Sequence, residues 1–349
     1  MKLPIFPGPM PERPLVSVLT ANYNFARFLP QALASVQAQT YGNWEMIICD
    51  DGATDGSRAL IEQMAAAEPR LLPLFLKRNS GHAAALNACF AASRGEIVSL
   101  LDADDSWMTR KLEMVVAAAE RAPSAGLLVH PLLQMTDSGR CIGMDRCPAE
   151  HTVWNGPAMA ALGKIPPMPP CSGVSLRSAV AAQVFPIPEE FRSFADTFAF
   201  FSAAALTPTE PVSKSPLGVR LFHSSNTTGR VDLEPDRLLH AARLEQAAFE
   251  GAAALSQIPG PWPLPESVVI QGALGRRLRG DLGWIQYRRM LASSPAWKRA
   301  RFRRRLFNEL IPMLPRPLMI LVYSAVIRLR QARFQLLGVL KQLSFYRTS

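Results

Sequence analysis

An apolar run, Ile97–Leu101, ends abruptly in three carboxylates, Asp102, Asp104 and Asp105. The run has the composition of a buried strand. Carboxylates crowded into four consecutive positions repel one another and cannot be buried unpaired. Something cationic must therefore sit among them. Arg110 and Lys111 follow closely, but a hard divalent ion such as Mg²⁺ or Mn²⁺, which prefers oxygen ligands, is the more economical partner. The competing explanation is an acidic loop feeding the first turn of a helix, where Asp is favoured by the helix dipole.

The residues before this cluster repeat one pattern. Leu15–Thr20 is β-rich and breaks at Ala21-Asn22-Tyr23-Asn24. Phe28, Leu29, Ala32, Leu33 and Val36 recur at helical spacing. Trp44–Cys49 reads as a second strand ending in Asp50-Asp51-Gly52, and a helix follows Thr54–Ser57. Leu71–Leu76 reads as a third strand, running into Asn79–His82 and a helix over Ala83–Ala92. Strand–helix alternation with short connections predicts an α/β fold with a mostly parallel sheet. Ligands of such sheets bind at the carboxyl ends of the strands, where Asn22, Tyr23, Asp50, Asp51 and the Asp102 cluster lie. No glycine fingerprint of a dinucleotide site follows the first strand, and no P-loop occurs.

Five segments, 16–24, 35–41, 44–57, 79–87 and 95–107, together resemble the family 2 glycosyltransferases, nucleotide-sugar enzymes with the GT-A fold. The resemblance covers roughly residues 14–225 and implies the site. Ala21 and Tyr23 fall where the nucleotide base is gripped. Asp51, with Asp50 beside it, corresponds to the carboxylate that hydrogen-bonds the base. Asn79, His82 and Asn87 fall along the nucleotide-sugar. Asp102-Ala103-Asp104 resembles the Asp-x-Asp motif, which faces the donor and holds Mn²⁺ or Mg²⁺ at its phosphates. Asp105 follows directly, so Asp104 and Asp105 are both candidate metal ligands.

Downstream, a helix is expected over Lys111–Arg121, a strand over Gly126–Met135, and a hairpin around Cys141–Met144. Pro166–Pro170 reads as a rigid extended connector. Asp196 is the one acid in an apolar helical stretch with Phe194, Phe198, Phe200 and Phe201. By resemblance it is the general base on the acceptor hydroxyl, and an apolar setting suits that task. Arg220, His223 and Asn226 resemble a further family pattern, which puts Arg220 and His223 at the donor pyrophosphate and His223 also within reach of the metal.

The expected organisation is a loose lead-in over 1–13, a GT-A domain over 14–230 and a helical, basic and apolar region over 231–349. The formal charge of +10 calls for a partner or an address. Much of the basic excess lies in the last hundred residues, among them Arg276, Arg277, Arg279, Arg303, Arg304 and Arg305, with Trp284, Tyr287 and Trp297 interleaved. Helices of that kind lie on anionic membranes, or form an oligomer interface; nothing else in the chain supports nucleic-acid binding. No stretch reaches the roughly 20 apolar residues that span a bilayer. The five cysteines show no paired spacing. The expected location is cytoplasmic, with the inner membrane face as a docking surface.

The expected function is inverting transfer of a sugar from a nucleotide-diphosphate donor, foremost a UDP-sugar, to a saccharide or lipid-linked acceptor in envelope or exopolysaccharide synthesis. The rival is a catalytically degenerate GT-A scaffold, suggested by Ala21, Ala195 and Val219 at motif positions.

Overall fold

The computed structural model describes residues 5–145, 147, 167, 169–224, 226, 235–256, 266–279, 281 and 284–293. The chain divides into two units. The first comprises Met1–Leu133, Met144–Leu221 and Ala248–Trp262.

Its centre is a seven-stranded sheet. Strands β1 (Val16–Asn22), β2 (Trp44–Asp50), β3 (Leu71–Phe75) and β4 (Ile97–Leu100) are all parallel, with β1 between β2 and β4 and β3 outside β2. Helices α1 (Leu29–Gln37), α2 (Ser57–Ala67) and α3 (His82–Ala92) connect them. Pro30 stands in the first turn of α1, where its missing N–H is no loss. The near-continuous apolar character of β1 and β2 follows from burial of both faces. On one face Val16, Val18, Met46 and Ile48 pack in a cluster with Leu29, Leu33 and Val36 of α1 and Ile61 of α2. On the other, Cys89 of α3 points its thiol at the Thr20 and Ile47 carbonyls.

Beyond β4 the order becomes β4-β9-β6-β10. Strand β9 (Val174–Arg177) is antiparallel to both β4 and β6 (Leu127–Val129), and β10 (Thr209–Pro211) is parallel to β6. The strand expected over Gly126–Met135 is two strands, β6 and β7 (Leu133–Thr136). Pro131, which has no N–H to give a ladder, lies in the break. Short β5 (Ser106–Trp107) leads to α4 (Lys111–Arg121) and pairs antiparallel with β11 (Gly218–Phe222). Helix α5 (Ser178–Val184) follows β9, and α6 (Ala195–Leu206) carries Asp196. Helix α6 is buried almost all round. Phe201 meets Phe249 of α7 (Pro235–Ser256) edge to face, a preferred aromatic geometry.

The second unit comprises Gln134–Gly143, Phe222–Ala247 and Pro263–Ser349. Its described part holds most of β7 and of β8 (Cys141–Met144), the start of α7, and helices α8 (Glu266–Arg279) and α9 (Trp284–Ser293). Ala273 of α8 packs with Tyr287 and Leu291 of α9. Gln271 donates to Glu245 at 3.2 Å. No helix among the described residues is long and apolar enough to cross a membrane. The expected boundary at 230/231, most of the proline connector and everything from residue 294 lie outside the described residues.

Candidate active site

The carboxyl ends of β1, β2 and β4 lie side by side, since these strands are parallel neighbours. At β1, Ala21 is half-buried and Tyr23 exposes its ring. Between them Asn22 donates its amide to Asp50 Oδ1 at 2.7 Å. Asp50 also accepts the Ala53 N–H at 3.3 Å. Burial is the main cause that holds the Asp50 carboxyl above its ordinary range.

Asp51 accepts the Ser80 and Gly81 N–H groups, at 2.6 and 2.8 Å, one on each oxygen. It thereby fixes the loop after β3 against the end of β2. A carboxylate has about four lone-pair sites, so these two contacts leave Asp51 with further accepting capacity. Gly52 allows this approach: its φ is +69°, and a Cβ there would meet the Arg78 backbone at 2.6 Å.

The same loop is gripped from the other side. Arg192 donates to Asn79 Oδ1 at 2.7 Å and to the Asn79 and Ser80 carbonyls at 3.1 and 2.9 Å. Gly81, with φ +102°, lies so close that a Cβ would meet the Arg192 backbone at 2.7 Å. Asn87 exchanges two hydrogen bonds with the Ile187 backbone, at 2.7 and 2.8 Å. Both contacts fasten the 187–194 segment, which leads into Asp196. Phe194, just before α6, holds φ +62°, a conformation that bulky residues rarely adopt.

At the end of β4 the chain turns at once, with the Asp105 N–H donating to the Asp102 carbonyl at 3.1 Å. One oxygen from each of Asp102, Asp104 and Asp105 falls within a common 4.8 Å. Neither nearby base neutralises them. Arg110 pairs with Glu113 at 2.8 Å, and the Lys111 ammonium lies 3.5 Å from the centre of the Trp107 ring. Ser172 braces the turn. Its hydroxyl donates to Asp105 at 2.6 Å and accepts the Asp102 N–H at 3.0 Å. The other Asp105 oxygen accepts the Leu221 N–H of β11 at 3.0 Å.

These carboxyls are electrostatically frustrated. Burial and then Asp104 push Asp102 up to about 6; His82 works against the rise and Asp196 adds to it. Burial, then Asp102 and Asp104, push Asp105 well up. The Asp196 charge is therefore near enough to act on Asp102. The hard, anionic oxygen set fits a divalent cation, whose charge would remove the repulsion.

Arg220 lies 3.8 Å from Asp145. His223 belongs to the second unit. It is buried, its N–H donates to Asn226 Oδ1 at 2.6 Å, and its Nε2 lies 3.2 Å from the Asn226 amide nitrogen.

Sequence reasoning set Asn22 at a ligand-facing strand end without giving it a role, and passed over Ser172 and Arg192 as site residues. The first was visible as a polar residue at a strand end. The other two act across more than sixty positions and leave no local signal.

The sheet order and its flanking helices define the class of fold: a GT-A scaffold. The Glycosyl transferase family 2 model matches residues 17–164. An uncharacterized glycosyltransferase of Nostoc sp. is 33% identical over 220 residues, 60% of this chain and 66% of that one. A putative teichuronic acid biosynthesis glycosyltransferase of Bacillus subtilis is 41% identical over 101 residues, 29% and 40% of the two chains. The chain thus spans between two fifths and two thirds of the length of these relatives. Among solved structures, S. aureus TarS in complex with UDP-GlcNAc aligns with a TM-score of 0.53 at 17% identity, covering 90% of this chain and 89% of that one. A mannosyltransferase from Pyrobaculum calidifontis, in complex with GDP-Man and Mn²⁺, aligns with a TM-score of 0.50 at 17% identity, covering 93% and 88%. The sequence of residues 17–164 thus identifies a glycosyltransferase family 2 region in this chain.

Proposed function

We propose that this protein transfers a sugar from a nucleotide-diphosphate donor to an acceptor hydroxyl, with inversion at the anomeric carbon. The observation that carries the reading is the convergence of Asp102, Asp104 and Asp105 with Asp196 in their field. It is supported by the donors in the two solved relatives of the fold, UDP-GlcNAc and GDP-Man.

Ala21, Tyr23 and Asp51 receive the base, the last while still holding the Ser80–Gly81 turn. The Asn79–His82 loop lines the nucleotide. Asp102, Asp104 and Asp105 would hold Mn²⁺ or Mg²⁺. When bound, the ion supplies Lewis-acid stabilisation of the departing diphosphate. Arg220 adds positive charge on the pyrophosphate side. Asp196 takes the proton of the acceptor hydroxyl; the oxygen bonds to the anomeric carbon as the bond to the nucleoside diphosphate breaks. A single displacement needs no covalent enzyme intermediate and relies on positioning and proton transfer.

The names of relatives point to envelope polysaccharides, and a saccharide or lipid-linked acceptor fits that setting. The domain boundary near 230 is part of the same proposal, with the basic carboxyl-terminal helices meeting the inner membrane face or a second copy.

The test is a thermal-shift screen of UDP, GDP, dTDP and CMP, each with Mn²⁺, Mg²⁺ or EDTA. A ligand held by the native state alone raises the melting temperature. One nucleotide should stabilise only with metal, and Asp104→Ala should abolish its effect. No shift with any nucleotide, in folded protein, overturns the reading in favour of a scaffold.

A further inference from the structure

Asp102 stands at a second convergence of donor atoms. A ring nitrogen of His82, a carboxylate oxygen of Asp102 and the Cys171 sulfur all lie within 4.8 Å of one another. They come from three separate segments: the first turn of α3, the end of β4, and a 3₁₀ turn at Cys171–Gly173 that precedes β9. The Cys171 sulfur thus lies beside the Asp102 carboxylate. It is buried, whereas His82 and Asp102 are half-buried, so the cluster has both a closed and an accessible side.

The backbones of all three donors are pinned by contacts already in place. The His82 N–H donates to the Arg192 carbonyl at 3.0 Å. The Asp102 N–H donates to Ser172, the neighbour of Cys171. The Gly173 N–H closes the 3₁₀ turn on the Pro170 carbonyl at 2.8 Å. Ligands held this way need little rearrangement to meet an ion.

The two donor sets differ in kind. Asp102, Asp104 and Asp105 offer oxygen alone, which suits Mg²⁺ and Mn²⁺. His82, Asp102 and Cys171 offer nitrogen, oxygen and sulfur, which suit Zn²⁺ or Co²⁺ in a tetrahedral site. We propose that His82, Asp102 and Cys171 form a separate thiophilic cation seat, which takes Zn²⁺ and shares Asp102 with the oxygen-only seat. The thiol gives its proton to solvent on binding, and three protein ligands leave a fourth position open. Two cations drawing on one carboxylate oppose each other, so Zn²⁺ antagonises the activating metal. This antagonism rests on the metal reading of the acidic cluster; the seat itself does not.

The test is a titration of the metal-free full chain with Co²⁺, followed by absorption. A thiolate-to-cobalt charge-transfer band should grow to one equivalent, and one equivalent of Zn²⁺ should remove it. Cys171→Ser should abolish the band, and Asp104→Ala should retain it. No band in folded wild-type protein, or an undiminished band in Cys171→Ser, overturns the seat. Should Cys171→Ser fail to fold, His82→Gln serves instead: the intense visible bands of tetrahedral Co²⁺ should weaken, and unchanged spectra overturn the proposal. In the second arm, Zn²⁺ should suppress the Mn²⁺-dependent nucleotide shift at a concentration at least about tenfold lower in wild type than in Cys171→Ser, about 1.4 kcal/mol of seat affinity. Equal sensitivity overturns the antagonism. Failure of the acidic-cluster reading would remove the Mn²⁺ effect and leave the Co²⁺ band intact.

Discussion

The guanidinium of Arg192 donates to both the side-chain and the main-chain oxygen of Asn79, at 2.7 and 3.1 Å. Asn79 begins the turn whose next two N–H groups are held by Asp51. Arg192 itself lies four residues before Asp196. One short relay therefore joins the proposed base-binding carboxylate to the proposed general base.

Cutting that relay should cost catalysis more than stability. Arg192 is exposed, and each of its bonds contributes about 0.5–1.5 kcal/mol at most. Arg192→Ala should lower kcat/KM for donor by about 3- to 10-fold while leaving the thermal midpoint nearly unchanged. Arg192→Lys, which keeps charge but loses the planar fork, should recover only part. Steady-state kinetics beside a melting curve decides; a large stability loss with unchanged kinetics would make Arg192 a structural residue only.

Metal binding should depend on pH in a defined direction. Asp102 is raised from an ordinary 3.8 to about 6 by burial and then by Asp104. Between these values the metal-free fold keeps a proton that the unfolded chain gives up, so metal-free stability falls as pH rises through that window. A cation needs the ionised carboxylate. The Mn²⁺-induced rise in melting temperature should therefore be large near pH 7.5 and fade toward pH 5. A shift independent of pH would place the ion away from Asp102.

Lys111 is fully buried, and no carboxylate among the described residues pairs with it. Its ammonium lies over Trp107 and 3.3 Å from the Ser175 hydroxyl. Burial drives its pKa well below 10.5. His130, buried nearby, falls from 6.5 to about 3 through burial and then through Lys111. Both groups bind protons more readily unfolded. His130 makes stability rise with pH between about 3 and 6.5, and Lys111 extends the rise toward 10.5. Lys111→Met should raise stability by about 1–3 kcal/mol near neutral pH and flatten the alkaline limb, with a smaller flattening of the acid limb because His130 loses the Lys111 charge. Urea unfolding at pH 5, 7 and 9 measures both; a less stable Met variant would show that the cation–π contact outweighs desolvation.

The sequence exposed those parts of the fold that repeat locally. Trp44–Cys49 could hardly be other than a strand buried on both faces, and the carboxylates after β2 and β4 mark strand ends wherever the sheet is parallel. The insertion of β9 between β4 and β6 was not legible, because Val174–Arg177 is a four-residue strand whose partners lie about fifty and eighty positions away. Lys111 was read as a neighbour of the acidic turn because lysine is ordinarily a surface residue; only the packing of Trp107 against α4 turns it inward. Asp51 was legible as a ligand-facing acid but not as the anchor of the Ser80–Gly81 turn, a bond set by tertiary approach.

Asp196 carries the sharpest prediction. It stands in the first turn of α6, where a carboxylate also stabilises the helix by about 0.3–1 kcal/mol. Asp196→Asn keeps the shape, removes the proton acceptor and forfeits only that small helix contribution. Transfer should fall by about 10²- to 10⁴-fold in kcat, while the metal-dependent nucleotide shift persists. A second readout separates this role from a merely structural one. The Asp196 charge helps to hold Asp102 up, so its loss should move the pH midpoint of the Mn²⁺ effect downward. Asp196→Ala, which loses the carboxylate and its shape alike, should show the same direction on both measurements. Activity within a few-fold of wild type would place the base elsewhere, even with the midpoint displaced as expected.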